Sequence, residues 1–150
     1  DKLPAISKYY DYDEGAPGKS AQSNGITCIY RYAEVLLMYA EASTRATNSV
    51  NQDALNAIQE VQKRAGYQNR QIELTTTTEP AAFLTAVSNE RGWEFFAEMK
   101  RWFDLVRLEK VSEVRAETWN GSLFQRNNHY YFPIPYQQIE LAQWTNNAGY

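Results

Sequence analysis

Residues 31–42 read RYAEVLLMYAEA and residues 90–107 read ERGWEFFAEMKRWFDLVR. Each combines an apolar stripe at helical spacing with charges of both signs set inside or beside that stripe. In the first, Tyr32, Leu36, Tyr39 and Ala40 keep the helical period, and Val35, Leu37 and Met38 widen the stripe most of the way round. That pattern predicts a helix over residues 30–46 packed on several sides. In the second, Phe95, Met99, Trp102 and Val106 continue a series begun by Phe83, Leu84 and Val87, which predicts one long helix to about Leu108. Gly92 weakens its middle by about 1 kcal/mol relative to Ala, so a kink or break is expected between Gly92 and Lys100.

Between these two stretches the punctuation is clear. Asn51 is a good N-cap, and Ala54, Ile58, Val61 and Ala65 recur at helical spacing. Gly66 can take the left-handed position that ends such a helix. The connection at residues 47–50 is short, so the first two helices should form an antiparallel hairpin. The run Thr75 to Thr78 offers an N-cap ahead of Glu79 and Pro80, both suited to a first turn.

Outside this region the periodicity fades. Gly15, Pro17, Gly18, Ser20, Ser23, Asn24 and Gly25 crowd residues 1–28, which read as an extended or loop segment with one plausible strand at residues 7–13. After residue 110 a polar stretch with Trp119, Asn120 and His129 leads to YYFPIP at residues 130–135, where Pro133 and Pro135 permit only an extended edge or turn. A helical turn or two is expected around Ile139 and Leu141. The organisation is therefore a single region over residues 1–150: an extended segment at 1–28, a helical core at 29–109, and an irregular tail at 110–150 with a short extended piece. The fold class is all-α, built of helix pairs with the length of a tetratricopeptide unit.

The 150 residues, 43% of them hydrophobic, suit one domain with a real core. Fifteen basic residues against 18 acidic ones, net charge −3, leave no electrostatic footprint for nucleic acid or anionic lipid. The longest apolar run, Val35 to Ala40, falls far short of the ~20 residues that span a bilayer. Opening on Asp1 with no signal region, the sequence reads as a processed product whose export address would lie upstream. Cys28 has no cysteine partner and reads as a small buried hydrophobe.

Candidate chemistry is sparse. Glu90, Glu94 and Glu98 stand four residues apart on one helical face, the way paired carboxylates or a metal site could be presented. The competing reading is structural, with Arg91 to Glu94, Glu98 to Arg101 and Asp104 to Arg107 all at ion-pairing spacing. One His and one Cys exclude a zinc cluster, no serine stands in a nucleophile context, and no cofactor or metal is expected. Trp119 beside Asn120 is the one local arrangement suited to a sugar: the indole packs on a pyranose face while the amide takes hydroxyls. Trp93, Trp102 and Trp144 read as helix or tail packing.

Taken in order, RYAEVLLMYAEA, ALNAIQEVQKRAGY at residues 54–67, ERGWEFFAEMKRWFDLVR, YYFPIP and the final Asn-x-Gly-Tyr at residues 147–150 resemble the C-terminal part of a SusD/RagB-family outer-membrane nutrient-binding lipoprotein. Gln59 and Gln62 stand where the family usually has Asn and Arg, Met99 where Gly is common, and Ala148 where Pro is usual. The resemblance implies a mostly helical protein, tethered by a lipid outside this chain to the outward face of the outer membrane. There it would bind oligosaccharide, or peptide in some members, and pass it to a TonB-dependent transporter without catalysis. The alternatives are a helical scaffold that docks the transporter without touching ligand and, remotely, a secreted glycoside hydrolase. The matched blocks are scaffold, so no ligand residue carries over, and Trp119 and Asn120 remain the candidates. Arg31, Glu34 and Glu41 on one largely buried helix, and Arg91, Glu94, Arg101 and Asp104 on the other, need partners because buried unpaired charge is costly. They are expected to pair across the helical interface.

Overall fold

The computed structural model describes residue 8, residues 28–111 and residues 131–147. Among these residues the architecture is all-α, with no strand: α1 (Tyr32–Thr47), α2 (Gln52–Arg64), α3 (Pro80–Glu94), α4 (Arg101–Arg107) and α5 (Tyr136–Ala142), plus a 3-10 turn at Gln68–Arg70. The chain divides into two compact units, residues 1–97 and 98–150. The expected strand at residues 7–13 lies outside the described residues.

In the first unit, local chemistry sets each helix end. Asn51 caps α2, its side chain accepting from the Ala54 amide at 2.8 Å. At the other end Gly66 takes a φ of +79°, the Gly66 amide bonds the Lys63 carbonyl at 3.0 Å, and the Tyr67 amide bonds Gln62 at 3.2 Å. This pair of bonds is a Schellman closure, which satisfies carbonyls the helix leaves orphaned. Helix α3 starts one residue later than the threonine run suggested. Glu79 is the cap, its carboxylate accepting from Ala82 at 2.7 Å, with Pro80 behind it.

Buried Leu37, Ala40, Ala54, Ile58, Val61, Phe83, Val87 and Phe95 form one core in which α1 packs on both α2 and α3. The directions follow from the ends. Arg31 before α1, Arg64 at the end of α2 and Glu94 at the end of α3 meet at one point, so α1 runs opposite to both neighbours. This is the antiparallel hairpin expected from the short connection, with α3 packed against α1.

Two sequence expectations are corrected, and a third holds. Among the described residues helix α1 buries one stripe, Glu34, Leu37, Ala40, Glu41 and Thr44, whereas Tyr32, Val35, Met38 and Tyr39 are exposed. Cys28 is exposed rather than buried, since it lies with exposed Ile29 and Tyr30 ahead of α1. The long third helix is two: α3 ends at Glu94 and α4 begins at Arg101, with Ala97 (φ 62°) and Met99 (φ 59°) in the left-handed region between them. Gly92 stays inside α3; the break falls beyond it, as the expected window allowed.

In the second unit, Leu105 and Val111 are buried and the Trp102 ring lies tilted against Phe132, with centroids 6.1 Å apart. The extended piece is held by asparagines. The Ile134 amide, the one donor between two prolines, bonds Asn146 Oδ1 at 2.9 Å, and Asn147 Nδ2 donates to the Phe132 carbonyl at 2.6 Å. Thus two of the sequence blocks, YYFPIP and the Asn-x-Gly-Tyr close, meet in space.

Candidate functional site

The charges of the first unit gather where the ends of α1, α2 and α3 converge. Arg31 Nη1 lies 2.7 Å from Glu94 Oε1, and Arg31 Nη2 donates to the Glu94 carbonyl at 2.9 Å. Arg64 donates to the other Glu94 oxygen, and Arg91 Nη2 lies 3.7 Å from Glu34 Oε1. Arg31 and Arg91 also sit over the buried Phe95 ring, at 4.9 and 5.2 Å from its centroid. Lys8 Nζ adds bonds of 3.1 Å to the carbonyls of Glu94 and Phe96. Two cations therefore cap the carbonyl end of α3, where the helix dipole is negative.

The pairs differ from those that helical spacing alone suggests. Arg91 faces Glu34 on α1 rather than Glu94 on its own helix, because both residues point into the α1–α3 interface. Glu41 pairs within α1, with Arg45 at 2.9 Å. Asp104 pairs with Arg107 at 2.9 Å in the second unit, as spacing predicts. Glu98 falls in the turn after α3, so the three-glutamate ladder does not exist as one face.

Beside this junction lies an open cleft of about 570 Å³ between α2, the segment after it and α3. Its inner side is set by Glu90, only 1% exposed, whose Oε2 accepts from the Tyr67 hydroxyl at 2.7 Å and from Gln62 Nε2 at 3.1 Å. Gln62 and Gln59 also tie down Thr75. Gln62 accepts from its amide at 2.9 Å and donates to its hydroxyl at 2.8 Å, while Gln59 donates to its carbonyl at 2.8 Å. The two glutamines that depart from the resembled pattern are thus used to hold the loop that forms one wall. Burial foremost, then the bond to Glu90 and the charges of Glu90 and Glu94, push the Tyr67 hydroxyl well above its ordinary pKa.

The outer side is built of Trp93, 65% exposed, with exposed Arg70, Glu73 and Asn89. Trp93 and Trp144 were expected to pack and do not; both stand largely in solvent. Trp119 and Asn120 lie outside the described residues. Sequence reading missed the cleft because it needs the turn at Gly66 to bring Tyr67 against α3. Among the described residues no cluster of His, Cys, Asp and Glu is arranged to hold a metal ion. No described helix is long and apolar enough to cross a membrane.

The sequence model of the SusD family matches residues 2–150. Two relatives from Formosa agariphila, SusD-like protein P2 and SusD-like protein P25, are 30% and 29% identical over 98% and 99% of this chain. The chain spans only 30% and 29% of their respective lengths. A crystal structure of a SusD superfamily protein from Parabacteroides distasonis superposes with a TM-score of 0.67 at 30% identity, over 81% of this chain and 27% of the other. A SusD homolog from Bacteroides thetaiotaomicron gives 0.63 at 29% identity, over 81% and 26%.

Proposed function

The chain belongs to the SusD family, and from that premise we propose that it forms part of a cell-surface receptor for nutrient glycans. The receptor captures oligosaccharide at the outward face of the outer membrane, where a lipid anchor outside this chain holds it, and delivers the sugar to a TonB-dependent transporter. The observation that carries this reading is the family match along residues 2–150. The charge geometry supports a framework role over catalysis. Glu94, a glutamate that a hydrolase would need free, is held by two arginines, whereas a glycosidase requires one carboxyl to carry a proton and another to attack or activate water. Trp119 and Asn120 are retained as sugar-contact candidates.

Calorimetric titration of the full-length protein against a panel of oligosaccharides and peptides tests the reading. Saturable binding of a glycan, with no product released from it, is the expected result. Binding of peptides alone would move the protein to a peptide receptor, and release of shortened glycan would make it an enzyme. A second reading, a scaffold that docks the transporter without touching ligand, is favoured by the uncovered apolar face of α1 at Tyr32, Val35, Met38 and Tyr39. It predicts co-purification with the transporter and a melting temperature that no glycan shifts.

A further inference from the structure

We propose that the cleft between α2 and α3 is itself a saccharide site, selective for neutral glycans, with the Trp93 indole as its stacking platform. The proposal rests on the glycan-receptor reading above and assigns it a place in this chain. Three observations carry it. The first is shape: at about 570 Å³, the open cleft falls inside the ~300–1,000 Å³ range of small-molecule sites.

The second is the chemistry of its walls. A large indole standing in water on an otherwise well-packed helix offers an apolar face of the kind that covers the C–H side of a pyranose. Around it, the side chains of Arg70, Glu73 and Asn89 line the cleft, exposed and with no hydrogen bond recorded among the described residues. Glu90, 1% exposed, also lines the cleft, and both of its hydrogen bonds fall on Oε2. Tyr67 and Gln62 fix that carboxylate in place, so the inner wall is rigid.

The third is charge. Glu73, Glu90 and Glu94 are balanced by Arg70 in the cleft and by Arg31 and Arg64 on Glu94, so the charges in and beside the cleft cancel. A uronate or sulfate would find no surplus positive charge there to offset the loss of its own hydration. A neutral hexose or pentose chain meets only hydroxyl acceptors, an amide and a guanidinium.

The test is calorimetry on the full-length protein with neutral and uronate-containing oligosaccharides, comparing wild type, Trp93→Ala, Trp93→Phe and Asn89→Ala. Neutral glycans should bind, with Kd about tenfold weaker in Trp93→Ala and partly restored in Trp93→Phe, in line with the loss of one stacking contact. Asn89→Ala should weaken Kd about threefold with an unchanged melting temperature, which separates ligand contact from folding. Glycan binding that is the same in all four proteins would overturn the cleft assignment and leave the receptor reading standing. Binding of uronate glycans alone would overturn the selectivity, and an absence of any glycan binding to wild type would end both.

Discussion

At the scale of single residues, the cost of each charge depends on what shares its surroundings. Glu94 is only 5% exposed at its side chain and satisfies two arginines, one of which, Arg64, is 64% exposed. Glu94→Gln should therefore cost about 1–3 kcal/mol, because cationic groups at the junction lose their counter-charge. Arg64→Ala should cost under about 1 kcal/mol, as for an exposed pair. Urea denaturation of both variants checks the order, and equal losses would contradict it. Tyr67 carries a second prediction. Its folded pKa is raised above the ordinary 10.0, so the folded state holds the proton more tightly than the unfolded chain. The stability this provides is complete below about pH 10 and is lost as pH rises beyond it. The difference in melting temperature between wild type and Tyr67→Phe should be constant from pH 8 to 9 and shrink above about pH 10; a difference that grows with alkalinity would reverse the assignment. None of this partner choice is visible in spacing. Helical offsets predict Arg91 with Glu94, and only the α1–α3 interface redirects Arg91 to Glu34.

At the scale of elements, the ends of helices decide what the middle can reach. The closure at Gly66 turns the chain so that Tyr67 meets Glu90, and a side chain at a φ of +79° is strained even though a Cβ there would touch nothing. Gly66→Ala should cost about 1 kcal/mol and weaken the Tyr67–Glu90 bond, read as a lower melting temperature together with greater Tyr67 exposure to chemical nitration. Met99 gives the opposite case. It sits at φ 59° and is 88% exposed, so its side chain pays left-handed strain with little packing in return. Met99→Gly should stabilise by about 0.5–1 kcal/mol after the entropy of glycine is counted against the relief of strain. A fall in melting temperature would show that Met99 makes contacts that matter. Both positions were readable in part: Gly66 ahead of Tyr67 announced the helix end, and Met99 lies in the window after Gly92 where a break was expected.

At the scale of the whole molecule, the exposed apolar face of α1 is a liability among the described residues. Tyr32, Val35, Met38 and Tyr39 form an apolar strip that α2 and α3 leave in water, and such strips promote association. The chain expressed alone should self-associate with rising concentration in light scattering, and Val35→Lys with Met38→Lys should suppress this while the helical circular dichroism is kept. A monomer at all concentrations would show the strip to be inert. A pattern reading of α1 anticipated cover on several sides because its apolar stripe runs most of the way round the helix. Sequence by itself determined the helical class, the hairpin of α1 and α2, the caps at Asn51 and Gly66, and the family, because these depend on local periodicity, end chemistry and motif order. Tertiary structure alone decided which charges meet between helices, and that Trp93, Glu90 and Tyr67 line one cleft. Those outcomes depend on the relative placement of residues far apart in sequence, 63 positions for Arg31 and Glu94, and short-range spacing carries no information about such distances.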